Sequence, residues 1–233
     1  MARNGTNGER RRAQLTREAI LAAAQHITAE GGQITFRALG ASLDADPTAV
    51  YRHFRDKDEL VRAVYDRMMA EAYSRIDQSG TWREQLRQLA HEAWRTSQEH
   101  PHIGVSAPIL TTGGPGELAS IDLMLRALRS AGLDDTDVVR FYGVIASYIV
   151  SVSAGVSAQR LAALEQETDV NPAWLYDVRG IDTARYPDVA ASRHELSELS
   201  TDEVYSTGIE VLLDAVESMA ARQSAGEADA RAV

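Results

Sequence analysis

The 233 residues, 44% hydrophobic and 25% charged, carry enough apolar material for one large domain or a small domain on a larger one. Cysteine is absent, which excludes disulfides, thiolate metal sites and thiol catalysis. The formal net charge of -10 looks wrong for a partner of nucleic acid, but it is divided: residues 1–62 hold ten Lys/Arg against eight Asp/Glu, and the remainder fourteen against twenty-six.

Residues 1–14 are polar, glycine-containing and arginine-rich, and read as a disordered basic arm. They lack the apolar run of a signal peptide, so a cytoplasmic protein is expected. Thr16 is placed to cap a first helix, with Leu15 and Ile20 stapled across it. Ile20, Leu21, Ala24 and Ile27 then recur at helical spacing until Gly31-Gly32. Thr35 opens a second helix to about Ser42. Leu43, Asp44 and Ala45 form a tight turn, and Asp46-Pro47 reads as a cap followed by proline at the first helical position. That third helix is predicted to run to about Phe54. Asp56 and Glu59 then resemble a capping box opening a fourth, which links onward to about residue 78.

Beyond Gly80 the pattern stays helical. Trp82–Glu99 is amphipathic, Thr111 to Gly116 reads as a loop, and helices are predicted over Leu118–Ala131 and from Asp137 to about Glu167. Residues 168–182 look irregular apart from a possible turn at Pro172–Leu175. A short helix is expected over Pro187–Leu196 and a last one over Thr201–Ala220, with a disordered tail over 223–233. No alternating strand pattern is found, so the expected class is all-α. Phe141 to Gln159 carries no charge over about the length of a membrane span. Its four serines, two glycines and glutamine indicate a buried helix instead, and no membrane partner is expected.

Two short helices joined by a three-residue turn constitute a helix-turn-helix, whose second helix enters the major groove of DNA. The run from Thr35 to Leu60 resembles the N-terminal domain of the TetR (tetracycline-repressor) family. The likeness rests on Thr35, Arg37, Ala38 and Leu39, on Val50 through Phe54, and on Lys57 and Leu60, and it covers about residues 15–70. It implies a three-helix DNA-binding domain over 15–62 ahead of a larger all-helical effector-binding and dimerisation domain over 79–222.

Carried onto matching positions, the resemblance assigns DNA contacts to Thr35, Arg37, Pro47, Thr48, Tyr51, Arg52, His53 and Lys57. Tyr51 and Lys57 suit phosphates, Thr35 and Thr48 phosphate or base edges, and Arg37 guanine. Arg52 projects to phosphate or to solvent, and His53 contacts phosphate or packs. Asp46 either only caps its helix or also accepts from cytosine. Asp44 stands where the family usually has glycine, because that turn residue takes positive φ. Arg10-Arg11-Arg12 either sit in a neighbouring minor groove or on phosphates, or stay solvated.

In the remainder, Trp82-Arg83, Leu86, Leu89, Trp94, His100-Pro101, Leu125, Leu128 and Tyr186-Pro187 resemble the family's tetracycline-repressor branch. This implies a homodimer on an inverted-repeat operator, released by a hydrophobic small molecule held among the helices. Candidate effector contacts are Trp94, His102, Met124, Leu128, Phe141, Tyr142, Tyr148 and Trp174. His102 stands near the place of a metal-binding histidine in that branch, but no carboxylate cluster accompanies it, so neither metal nor cofactor is expected. Gly143, Ser147, Ser151 and Gly155 make a ridge of small side chains for a close helix contact, either across a dimer or within the body.

Two other readings compete. Gly113-Gly114-Pro115-Gly116 lacks the Gly-Lys-Ser/Thr ending of a phosphate loop, and no nucleophile–base pair is evident, so an enzyme is not expected. A regulator acting without an effector, or as an activator, is the alternative within the family. When bound to its operator the protein would sit on the nucleoid.

Overall fold

The structure, a computed structural model, describes residues 15–166, 182 and 184–231. The basic arm and Trp174 therefore lie outside the described residues, as does the 168–182 segment apart from Asp182. What is described is all-α, with no strand among these residues.

The head begins with α1 (Arg17–Ala29), α2 (Phe36–Ser42), α3 (Pro47–Val50) and α4 (Lys57–Ser74). Each starts where a short polar side chain meets an otherwise orphaned N–H. Thr16 accepts from Ala19 N, Thr35 from Ala38 N, Asp46 from Thr48 N and Asp56 from Glu59 N. The capping box expected at Asp56 is shifted by one residue, since Glu59 reaches back to the N–H of Arg55 (2.9 Å). A complete box forms instead at Thr81 and Glu84. α3 is shorter than predicted: Tyr51 to His53 form tight turns, with His53 N bonding to Val50 O at 2.9 Å. Ile20, Leu39, Val50, Phe54 and Leu60 interlock with at most 1% exposure. Truncating a residue such as Phe54 to alanine costs about 3–5 kcal/mol.

The body contains α5 (Trp82–Glu99), α6 (Pro101–Gly104), a short 3-10 turn, α7 (Pro115–Ser130) and α8 (Asp135–Glu165). Then come α9 (Pro187–Ala191), α10 (Arg193–Glu198) and α11 (Thr201–Arg231). α8 is the central post, packed against α5, α6, α7 and α11. α7 begins three residues before the predicted Leu118. Pro115 takes its first position, and Asp66 of α4 accepts from Glu117 N at 3.0 Å. The single helix expected over Pro187–Leu196 is broken at Ser192. The tail expected to be disordered from Gln223 continues α11 to Arg231, and Gln223 itself bonds Asp134 and Asp137 at the start of α8.

Two close approaches fix the packing, one between head and body and one within the body. A Cβ on Gly116 would collide with the Asp66 carbonyl and lie 2.7 Å from Ala70 N, so glycine lets α7 seat directly on the α4 backbone. A Cβ on Gly104 would collide with the Ser157 hydroxyl, which fixes α6 against α8. Among the described residues the small-residue ridge of α8 is not used for such an approach. Ser147, Ser151 and Gly155 are exposed, and a Cβ on Gly143 or Gly155 would meet nothing within 4 Å. Val139 and Val144 on the same helix stay exposed. α8 is long and apolar enough to cross a membrane, but it is built into the helical body.

Candidate DNA-reading face and internal cavity

The turn between α2 and α3 holds Asp44 at φ 48°, the left-handed conformation that the sequence called for. Behind it, Asp46 gathers both the N–H and the hydroxyl of Thr48, at 2.8 and 2.7 Å. Those hydrogen bonds and the nearby Arg52 charge hold the Asp46 carboxyl below its ordinary range. The hydroxyl proton of Thr48 is thus committed to Asp46, and the pair presents oxygen lone pairs outward. Thr35 differs: its oxygen accepts from Ala38 N (3.0 Å), which leaves its proton free to give.

Arg37, Pro47, Thr48, Tyr51, Arg52 and Lys57 are all exposed, and they lie on α2, on α3 with its following turn, and at the start of α4. Neither Arg37 nor Lys57 forms an ion pair among the described residues. Tyr51 is 59% exposed, braced edge-on by Phe36 at 4.3 Å between ring centres. His53 is half-buried, and its carbonyl accepts from Arg17, whose guanidinium lies 4.1 Å over the Phe54 ring. Arg17 therefore staples α1 to the turn after α3, a role no sequence pattern signalled.

Below the head lies an apolar cavity of about 190 Å³. Its walls come from α4 (Tyr65, Met68, Met69), α6 (Ile103, Gly104), α7 (Glu117, Met124) and α8 (Tyr142, Ile149, Ser153), with α5 closing one side. Of the effector candidates, Met124 and Tyr142 line it. Five others do not. The Trp94 indole donates to Asp202 (2.7 Å) and stacks on Tyr205. The Tyr148 hydroxyl donates to Val204 O (2.8 Å). Leu128 is fully buried in the body core, and Phe141 packs against that core. His102 donates through its ring to the Gly31 carbonyl (3.0 Å), bracing α6 against the end of α1. No metal-holding group of side chains occurs among the described residues.

The polar side of the cavity was not foreseen. Thr96, Ser97 and Ser120 turn their hydroxyls back onto carbonyls of their own helices. Ser153, only 5% exposed, is in polar contact with the Tyr205 hydroxyl but forms no well-aligned hydrogen bond among the described residues. Tyr65 likewise forms no hydrogen bond there, and burial together with the Glu117 charge pushes its hydroxyl up to about 12. Glu117 uses one oxygen, Oε2, to accept from Thr112 N, Thr112 Oγ1 and Gly113 N, at 2.9, 3.0 and 2.6 Å. The Thr112 hydroxyl also lies 3.0 Å from Asp66 Oδ1, joining the two carboxylates. Nearby, burial pushes the His100 imidazole below its ordinary value, so the neutral ring shares a bond with Thr28 of α1 (2.9 Å).

Residues 76–220 match the tetracyclin repressor-like C-terminal domain, and residues 20–64 match the tetR family of bacterial regulatory proteins. The chain belongs to the TetR family. A TetR-family repressor of Streptomyces coeruleorubidus, the HTH-type transcriptional repressor DrrR1, is 27% identical over 215 residues, covering 88% of this chain and 77% of that one. A Streptomyces coelicolor A3(2) structure described as a transcriptional regulator superposes with a TM-score of 0.72 at 26% identity, covering 88% and 98%. ActR of Streptomyces coelicolor, solved with actinorhodin, shares the fold at a TM-score of 0.71 and 20% identity, covering 89% and 99%. This TetR-family protein is a DNA-binding transcriptional regulator of the repressor kind and not an enzyme. Its work on DNA places it in the cytoplasm.

Proposed function

We propose that the chain binds an inverted-repeat operator as a homodimer and is released when a hydrophobic small molecule occupies the cavity beneath the head. One observation carries this reading: Met68 and Ile103 belong to the head's core and at the same time line the cavity. A guest that displaces either side chain is felt inside the DNA-binding unit. A ligand favours release only by fitting the released arrangement better, and here fit and head geometry share atoms. ActR, which shares the fold and was solved with actinorhodin bound, supports a ligand role for this chain.

On DNA, Lys57 and Tyr51 serve as phosphate contacts and Thr35 as a third donor, with Arg52 beside them and Pro47 setting the entry of α3. His53 packs and orients Arg17. Arg37 reads a base edge. Thr48 and Asp46, offering acceptors only, suit the exocyclic amine of adenine or cytosine. Two such heads must lie about 34–36 Å apart to enter successive grooves. The outward ridge of α8, with Val139 and Val144, and the exposed Val211 of α11 supply the seam between two copies. DNA-bound copies reside on the nucleoid.

The test is a gel shift with inverted repeats from DNA adjoining the coding sequence, at graded salt. Binding should be dimeric and fall steeply with salt, and a small apolar ligand that raises Tm should abolish it. Binding that no Tm-raising ligand weakens would leave a regulator without an effector.

A further inference from the structure

The cavity's ionisable groups discriminate among effectors by charge. Ligand pockets are usually apolar with a few placed polar groups, and here the apolar part is supplied mainly by methionines, alanines and isoleucines from five helices. Among the described residues no Lys, Arg or His lines the cavity, and Glu117 is the one acidic residue that does. Tyr65 adds no charge of its own at neutral pH. An anion brought into this space would meet a carboxylate without any cation to offset its lost hydration, whereas a cation or neutral donor would meet an acceptor.

The available hydrogen-bonding capacity points the same way. Glu117 directs all three of its protein bonds to Oε2, so Oε1 remains to accept from a ligand. The Tyr65 hydroxyl, which forms no hydrogen bond among the described residues, and the loosely held Ser153 hydroxyl can each give or take one further bond.

Resting on the ligand role proposed above, we infer that the effector is a neutral or cationic molecule with an apolar body and a donor group for Glu117, and that carboxylate-bearing metabolites are excluded. At about 190 Å³ the space exceeds the roughly 150 Å³ that admits a benzene-sized guest and falls short of the about 300–1,000 Å³ of drug-sized sites. The bound molecule is therefore compact, or it enters by moving Met68, Met69 and Met124, whose unbranched side chains repack readily.

The experiment uses the full chain, titrated by calorimetry with three probes on one two-ring scaffold. These are 2-naphthylmethylamine (protonated at neutral pH), 2-naphthalenemethanol (neutral) and 2-naphthoic acid (ionised). Wild type should bind the amine and the alcohol at least about tenfold more tightly than the acid. Glu117→Gln should bring amine and acid to within about threefold, and Ser153→Ala, which leaves the charge untouched, should keep the wild-type ranking. Melting curves of both variants without probe confirm that they are folded. If Glu117→Gln does not fold, the salt dependence of the amine–acid difference in wild type decides instead, since a charge-based preference weakens as salt rises. Acid binding equal to amine binding in wild type, or a ranking that Glu117→Gln or salt leaves unchanged, overturns the charge selection while the cavity remains a ligand site. Failure of all three probes to bind overturns both readings.

Discussion

Asp44 is the one non-glycine residue at positive φ among those described. The left-handed region costs an L-residue roughly 1–2 kcal/mol, less for aspartate than for most. Asp44→Gly should therefore stabilise the chain by about 0.5–1 kcal/mol after the extra freedom of glycine in the unfolded state is subtracted. A rise in Tm of a few degrees would show it, and an unchanged or lower Tm would mean that aspartate is held there by something other than its backbone. Lys57, the sole lysine of the chain, and Tyr51 bear on affinity instead. Lys57→Ala should weaken binding to every DNA sequence alike and reduce the slope of log affinity against log salt by about one. Arg37→Ala should relax preference at one base position, and a uniform loss there would reassign Arg37 to phosphate. The caps at Thr16, Thr35, Asp46 and Asp56 were legible in the sequence because a cap is decided within three residues. The loosely held Ser153 hydroxyl was not, because its surroundings depend on where α11 places Tyr205.

Helices announced themselves by their apolar spacing, but their ends were legible only where local chemistry sets them. α7 starts early because its receptor for orphan N–H groups is Asp66, fifty-one residues upstream. α11 runs on because Gln223 finds Asp134 and Asp137 across the body. Both partners are tertiary, and neither leaves a mark on the neighbouring sequence. α5 and α11 are also joined electrostatically. Arg83 bridges Glu210, Asp214 and Glu217, and Arg87 adds a second bond pair to Glu210. The Arg87 bonds first, then those of Arg83, outweigh burial and pull the Glu210 carboxyl from its ordinary 4.5 down to about 2. Because the folded value is the lower, this stabilisation is complete above about pH 4.5 and is lost as pH falls towards 2. Glu210 is 40% exposed, so screening limits it to about 1 kcal/mol or less. Melting curves of wild type and Glu210→Gln should differ at pH 7, and the gap should shrink steadily as pH falls from about 4.5 towards 2. A gap that persists in acid would assign the effect to packing.

For the whole molecule, class and division into head and body could be read from periodicity, charge and one motif, whereas the cavity could not. Its walls are assembled from helices far apart in sequence, so aromatic residues such as Trp94 and Tyr148, conspicuous in the string, were drawn instead into the packing of α5 and α8 against α11. The outer side of α8 leads to a prediction at this scale. Val144→Arg places a charge on the proposed seam, 52% exposed in the single chain, and should leave the monomer folded. Sedimentation should then show a shift from dimer to monomer, with operator affinity falling at least about tenfold. A dimer that survives the substitution would move the seam elsewhere.

Ile103, on the four-residue turn of α6, is counted in two ledgers: it completes the hydrophobic heart of the head and forms part of the chamber below. Selection on how firmly the head holds together thus cannot proceed without retuning the dose at which an inducer acts. Trimming Ile103 to valine would enlarge the chamber and loosen the head in one stroke, so sensitivity and grip would drift together across natural variants.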